Sequence, residues 1–399
     1  MMPGNPRVLM LIDTYPGSAV LSDYSGEAIQ LRALGPRLQA AGVEVRVLTS
    51  HVARRDAEDE VDGVRVIRLA APAGLRRSAR FAQRMPMWLL RHRREWDIVH
   101  IHSTARSALA ALAATRILGK KSMLKFTLMG SDDAITVRES RLSGIKMRLL
   151  RLADAYAAPS TALAESVWAA GLPAERVARI PNGVDLSKFA PPTEDERARL
   201  RENLLDRFQW PHDAVLALFV GGIEPRKGIG VLARAWPDVV RRVPHARLLL
   251  VGPRDGARAE TAAQFENDLR AAGVAETAAL AGFTGRPEDF YRAADLFVFP
   301  SRGEGLPNAL IEAHAAGLPS VAAQIEGVTD DVVDEGNTGL IVPQDDVAEL
   351  ARALVALMQD DTRRRQMGLA ARARAVECFS LDHVARQYVD LYAKLLSRG

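Results

Sequence analysis

Two glutamates, Glu304 and Glu312, stand eight positions apart in the run Gly303-Glu-Gly-Leu-Pro-Asn-Ala-Leu-Ile-Glu-Ala313. Between them Gly305, Leu306, Pro307 and Asn308 read as a turn passing into the first turn of a helix. The apolar run Asp295-Leu-Phe-Val-Phe-Pro300 just before them reads as a strand. Strand, glycine-containing loop and proline at a helix start make a site for an anion, held on backbone N–H groups and the positive dipole end. Glu304 would sit in the loop beside that anion, and Glu312 about one helical turn in, facing the same side. Carboxylates offer several acceptor positions and suit sugar hydroxyls. The pattern therefore predicts a phosphate flanked by two polyols, as in a sugar nucleotide. A glutamate pair on an exposed helix would simply be solvated; the strand and loop around this pair set it apart.

A second loop has related chemistry. Gly221-Gly-Ile-Glu-Pro-Arg-Lys-Gly228 follows the apolar run Val215–Val220, with Gly222 allowing close backbone approach and Arg226 and Lys227 as adjacent cations. It reads as a diphosphate site, or more blandly as a solvated basic turn. It is not a Walker A loop, and no G-x-G-x-x-G is present. His100 and His102 lie on one side of a strand by alternation, His102 nearer its end. Asp132 and Asp133 either meet hydroxyls or cap the next segment. Ile180-Pro-Asn-Gly-Val-Asp185 reads as a turn. Leu75–Trp96 mixes Arg76, Arg77, Arg80, Arg84, Arg91, Arg93 and Arg94 with Phe81, Met85, Trp88 and Leu89. It suits an anionic membrane surface, and equally a solvated basic helix interrupted by Pro86.

These residues need elements to position them. Apolar runs alternate with helical patterns nearly throughout the 399 residues, which predicts parallel sheets in doubly wound α/β domains. The length favours two cores. The polar, proline-rich run Ala190-Pro-Pro-Thr-Glu-Asp-Glu-Arg197 reads as a linker. Domains are expected at 1–189 and 190–380, with 381–399 a helix of its own. The ligand is expected in an interdomain cleft at the carboxyl ends of the strands. Cys378 is the single cysteine, so neither a disulfide framework nor a cysteine-rich metal site can form, which fits a reducing cytoplasm. No apolar run reaches the ~20 residues of a spanning helix. With 53 basic and 49 acidic residues the chain is too balanced to argue for nucleic acid.

Taken together, the motifs resemble those of retaining glycosyltransferases of the GT-B fold, family 4. Asp97–His102, Ile180–Phe189, Arg226–Gly228, Pro300–Pro307, Glu312–Pro319 and Thr338–Pro343 carry the resemblance, which spans nearly the whole chain. It implies that Glu304 holds the donor sugar and Glu312 the nucleotide ribose. Lys227 and Arg226 would neutralise the departing diphosphate, and the backbone from Gly305 to Asn308 would cradle it. It further implies no cofactor and no metal ion, and a C-terminal helix packing back on the first domain. The donor would be a UDP- or GDP-sugar. The acceptor, a glycan or lipid-linked molecule, would bind near Gly26, His102 and Asp132, on a protein that is cytoplasmic and peripheral on the inner face of the membrane. The chain departs from the family pattern at Gly222, where an arginine is common, at Met129, where a histidine is common, and at Ser25-Gly26, in place of Gly-Gly. An epimerase of the same fold and a non-catalytic donor-binding subunit are the competing readings.

Overall fold

The computed structural model describes residues 5–17, 25–71 and 76–397. Leu75, the first residue of the basic stretch, and the last two residues of the expected terminal helix lie outside them. The chain forms two units, Met1–Gly183 with Leu381–Gly399, and Val184–Ser380.

Unit 1 runs β1 (Arg7–Leu11), α1 (Gly26–Ala40), β2 (Glu44–Val52), β3 (Ala57–Val61), β4 (Val64–Ala71), α2 (Arg76–Arg91), β5 (Ile98–His102), α3 (Arg106–Ile117), β6 (Lys121–Lys125), α4 (Ala134–Glu139), α5 (Ser143–Leu150), β7 (Ala155–Ala158), α6 (Thr161–Ala169) and β8 (Val177–Arg179). Unit 2 runs α7 (Glu194–Arg207), β9 (Val215–Val220), α8 (Ile229–Arg242), β10 (Ala246–Val251), α9 (Ala259–Ala271), β11 (Ala278–Gly282), α10 (Pro287–Ala293), β12 (Leu296–Phe299), α11 (Asn308–Ala315), β13 (Ser320–Ala323), α12 (Thr329–Val332), β14 (Gly339–Val342), α13 (Val347–Gln359) and α14 (Asp361–Phe379). The final helix, α15 (Leu381–Ser397), belongs to unit 1.

The unit 1 sheet has the order β3-β4-β2-β1-β5-β6-β7-β8, parallel except for the β3–β4 pair. Unit 2 has a parallel sheet ordered β11-β10-β9-β12-β13-β14. In each, the chain winds outward to one side of the first strand and then restarts on the other side. The reversal falls between β1 and β5 in unit 1 and between β9 and β12 in unit 2. Loops leaving the carboxyl ends of strands at such a reversal splay apart and open a crevice.

The cores follow from burial on both faces, as parallel sheets require. In unit 1, Val8, Met10 and Ile98 pack with α1 and α15, while Leu9, Leu11 and Val99 pack with α2, α3, α5 and α6. In unit 2, Ala217, Phe219 and Val298 face α8, α9 and α13. The opposite face, with Leu218 and Phe297, is covered by α10 and α11.

Three local expectations change. The run expected to be a linker is the start of α7, with a capping box in which Thr193 and Glu196 satisfy each other's backbone N–H. The chain instead leaves unit 1 at Gly183. Pro86 does not interrupt α2; Phe81, Met85 and Leu89, all fully buried, fix the helix on both sides of it, and packing outweighs the lost hydrogen bond. The edge strand β3 was not expected, because Ala-Glu-Asp-Glu-Val lacks apolar alternation. Its signal was the Asp62-Gly63 dipeptide, both residues at positive φ (51° and 80°), which makes a two-residue hairpin turn.

Candidate active site

In unit 2 the loops after β9 and β12 lie at the reversal of the sheet. They are stitched together. Arg302 N–H donates to the Arg226 carbonyl at 2.8 Å, the Arg226 guanidinium donates to the Gly303 carbonyl, and Ser301 Oγ reaches Arg226 O at 3.4 Å. Gly228 sits at φ 72°, directly against the Pro300 carbonyl, where a Cβ has no room. Further back, the Gln344 side chain donates to the Arg302 carbonyl at 3.0 Å, and Arg302 pairs with Asp345 at 2.7 Å.

This frame places Glu304, itself only 8% exposed, among three donors. One oxygen, Oε1, accepts from Lys227 Nζ at 2.6 Å and Ser301 Oγ at 2.7 Å, with Arg226 Nη1 at 3.1 Å. A mostly buried carboxylate so paired is held rigidly, and its removal would leave two adjacent cations uncompensated. The cations meet on Glu304, four residues before the amino end of α11, which begins at Asn308 behind Pro307. That end carries partial positive charge, so the place suits an anion. Gly305, Leu306 and Pro307 are buried in the same turn.

Glu312 lies one turn along α11. Its Oε2 accepts from the Tyr291 hydroxyl at 2.9 Å. Burial pushes the Glu312 carboxyl up from its ordinary value, while the Tyr291 bond and Lys188 oppose the shift. Gly222 lies in the loop after β9, beside Arg258. A Cβ at Gly222 would come within 2.9 Å of Arg258 Nε, and that nitrogen donates to Glu224 Oε1 at 2.7 Å. A guanidinium therefore occupies the space that a side chain at position 222 would claim.

The residues expected to meet the acceptor come from unit 1. Gly26 is the first residue of α1, which Ser25 caps by accepting from the Ala28 N–H at 3.1 Å. The His100 and His102 rings stack 4.3 Å apart, on one side of β5 as alternation requires. Both are buried, and burial lowers both well below the ordinary imidazole value, so they are neutral. Asp132 binds the loops together, accepting from the Thr104 N–H, Thr104 Oγ1 and Thr127 Oγ1. Its neighbour Asp133 is the cap of α4. Two residues that the sequence did not single out stand beside them. Glu27 is pushed up to about 8, by burial first and by Asp132 next, with Lys125 opposing. Lys125 is pulled down to about 8 by burial, and it donates to Asn182 at 2.9 Å.

Comparison with known proteins follows this division. Residues 214–360 match the model described as glycosyl transferases group 1, and residues 24–188 match that of glycosyltransferase family 4. The D-inositol 3-phosphate glycosyltransferase of Xylanimonas cellulosilytica is 30% identical, over 100% of this chain and 99% of its own length. The chain belongs to glycosyltransferase family 4. The enzyme of the same name from Kineococcus radiotolerans is 28% identical over 93% of this glycosyltransferase and 91% of the relative. Among solved structures, HepE of Anabaena in complex with UDP superposes with a TM-score of 0.79 at 18% identity, covering 98% of this chain and 100% of that one. Sucrose-phosphate synthase from Thermosynechococcus elongatus gives 0.78 at 22%, covering 99% and 100%. The fold is GT-B, with two doubly wound α/β units.

In this family 4 glycosyltransferase the structure gathers Glu304, Lys227 and Arg226 at one point, with Ser301 as a fourth member. Ser301 sits inside the motif that carries the resemblance, yet its type alone gives no sign of its hydrogen bond. Arg258 and Tyr291 come from α9's approach and from α10, and no local pattern ties them to the loops they reach.

Proposed function

We propose that this glycosyltransferase moves a hexose from a UDP- or GDP-sugar to an acceptor hydroxyl with retention of configuration and without a metal ion. The observation that carries this reading is the convergence of Lys227 and Arg226 on Glu304 Oε1 beside the amino end of α11. That arrangement supplies what a leaving diphosphate needs: two cations and a helix dipole already aimed at the place where charge develops. The complex of HepE with UDP supports a nucleoside diphosphate as the leaving group. In the filled site the diphosphate takes over Lys227 and Arg226, Glu304 turns to the hexose hydroxyls, and Glu312 holds the ribose. The bond from the anomeric carbon to the diphosphate oxygen breaks. The acceptor oxygen bonds to that carbon on the same face, and its proton passes to the departing phosphate. No protein nucleophile is required.

A thermal-shift screen against UDP, GDP, ADP and their hexose conjugates tests this. A nucleotide present at 100 times its Kd should raise stability by about 2.7 kcal/mol, or roughly 5 °C or more for a unit of this size. One nucleotide series should give the shift. No shift with any of them would abandon the donor site, and binding without hydrolysis or transfer would favour the partner-subunit reading.

Among the described residues no helix is long and apolar enough to cross a membrane. The layer of α2, α3, α5 and α6 nevertheless presents exposed Met87, Leu90, Ile117, Ile145 and Trp168, interleaved with exposed Arg80, Arg91, Arg116 and Arg148. These helices bury their inner sides against one face of the sheet, so their outer sides form one surface. We place an anionic membrane carrying a lipid-linked or glycan acceptor there. The protein should co-float with vesicles containing anionic phospholipid and not with neutral ones. Arg80→Glu with Arg91→Glu should abolish flotation, and unchanged flotation would remove this part of the reading.

A further inference from the structure

Between α2 and the β3–β4 hairpin of unit 1 lies a groove of about 590 Å3, at the edge of the sheet and apart from the loops of either reversal. Ile67 and Leu69, both buried, form its apolar lining. Asp56 ties the hairpin to the helix, accepting from the Ala70 N–H at 2.8 Å and from both terminal nitrogens of Arg84, at 2.6 and 2.8 Å. Two rings stand in this frame. Trp88 and His92, one turn apart on α2, stack with centroids 4.2 Å apart and planes within 16°. His92 Nδ1 is 2.8 Å from the Trp88 carbonyl and so carries the hydrogen, which fixes the orientation of the pair. A half-buried, preoriented aromatic surface in a concave place is what the apolar face of a ligand needs.

The polar groups around the rings indicate what that ligand is. Among the described residues, the Gln83 amide, Trp88 Nε1 and His92 Nε2 have no protein partner, and Glu58 uses only Oε2, accepting from Arg65 at 2.6 Å. Arg91, exposed, forms no ion pair among them. Donors and acceptors are therefore mixed around one aromatic patch. A phosphate only accepts and an ammonium only donates, whereas a hydroxyl does both. The lining carboxylates Asp56 and Glu58 are matched by Arg84 and Arg91, so neither sign of charge dominates. An uncharged ring with a C–H face and hydroxyls at its edge satisfies the whole lining, and a pyranose has that form.

We propose that this groove is a second saccharide site, separate from the reaction, which holds one or two uncharged sugar units of a glycan against Trp88 and His92; it rests on the transferase reading only for the source of the glycan. Arg77, in the first turn of α2, donates to the Ser50 carbonyl near the carboxyl end of β2 at 2.7 Å. Trp88 lies eleven residues further on, roughly 16 Å along the helix. A sugar held there is out of reach of the reacting hydroxyl and acts as a tether, raising the effective concentration of the rest of the glycan. Met87 and Arg91 also belong to the surface assigned above to the membrane, so the groove adjoins the level at which the sugars of a lipid-linked glycan would stand.

Binding of the full chain to an array of uncharged oligosaccharides and their sulfated or carboxylated counterparts, without donor, tests the groove independently of turnover. Wild type should hold uncharged members and prefer them to the anionic ones. Trp88→Ala should weaken that binding about tenfold or more. Gln83→Ala, at an exposed position that costs the fold little, should weaken it about threefold. Both variants should keep the thermal shift with nucleotide and the flotation with anionic vesicles. No uncharged glycan held by wild type, a preference for the anionic members, or unchanged glycan binding in Trp88→Ala overturns the inference. So does a Trp88→Ala protein that binds glycans normally and no longer floats, which would assign the groove to a lipid. If Trp88→Ala does not fold, Gln83→Ala decides: unchanged glycan binding sinks it. Absence of any nucleotide shift in wild type would remove the transferase reading and leave the glycan result standing.

Discussion

Lys227→Ala should lower kcat for transfer by roughly 10²–10³-fold, the effect of deleting one preorganised donor to a developing negative charge. The physical reason lies in the geometry at Glu304. The Lys227 ammonium is 2.6 Å from Glu304 Oε1, one of three groups on that oxygen. Ser301 and Arg226 remain in the variant, so Glu304 keeps partners and the fold loses little. The charge set against the leaving diphosphate is what disappears. Melting temperature should therefore stay within a few degrees of wild type while turnover collapses. That separates a role in the reaction from a structural one. Initial-rate kinetics over a range of donor concentrations would check it, and a loss confined to KM would mean that Lys227 binds ground state and transition state alike. Glu304→Gln should also impair turnover, because the amide offers the hexose hydroxyls one acceptor oxygen where the carboxylate offers two. Unchanged activity in that variant would remove Glu304 from the donor site altogether.

Gly228→Ala is the second large effect, and it acts through the backbone. Gly228 combines φ 72° with a position hard against the Pro300 carbonyl. The added methyl group cannot be accommodated by rotating a side chain, because the obstacle is main chain. Either the Lys227 loop or the Pro300–Glu304 loop must move. A cost of about 3–5 kcal/mol is expected from the strained conformation and the clash together, or roughly 10 °C in the melting temperature of a unit this size. Any folded protein recovered should have weak donor affinity, since Lys227 and Glu304 ride on the two displaced loops. Gly303→Ala is the control. It lies in the neighbouring motif at an ordinary φ, with nothing near its Cβ direction, and should be close to neutral for stability. Equal melting temperatures for the two variants would refute the clamp.

The contrast between those two glycines marks where reading the sequence stops. Both stand in motifs that look like phosphate loops, and nothing in the letters separates them. Glu304, Glu312 and Lys227 were legible as candidates because each sits in a short strand–loop–helix segment with local punctuation, and the structure brings Glu304 and Lys227 together. Ser301 was hidden inside such a segment, since a serine that orients a carboxylate looks like any turn serine. Glu27 and Lys125 were illegible for another reason: burial is what shifts both, and the charged groups that act on them, Asp132 on Glu27 and the two on each other, lie far apart in the chain. The strand order of the sheets was legible only as alternation. The hairpin at Asp62-Gly63 and the capping box at Thr193–Glu196 were both readable signals, outweighed by the acidic and proline-rich composition around them. At Pro86 the rule that proline breaks helices gave way to three buried side chains.

The placement of α15 fixes an order of events during synthesis. Unit 1 is interrupted by all of Val184–Ser380 and resumes only at Leu381, whose Cα lies 2.9 Å from where a Cβ on Gly183 would be. Val384, Tyr388, Tyr392 and Leu395 then cover the face of the sheet that holds Val8, Met10 and Ile98, and Tyr392 completes the hydrogen bond to His100 at 2.8 Å. A ribosome adding 5–20 residues per second needs ~10–40 s to make the intervening unit. Throughout that interval α1 alone covers that face of the sheet, and the part that α15 will occupy is open. The nascent chain therefore carries a partly uncovered apolar face while its second unit matures, until α15 emerges to seal it.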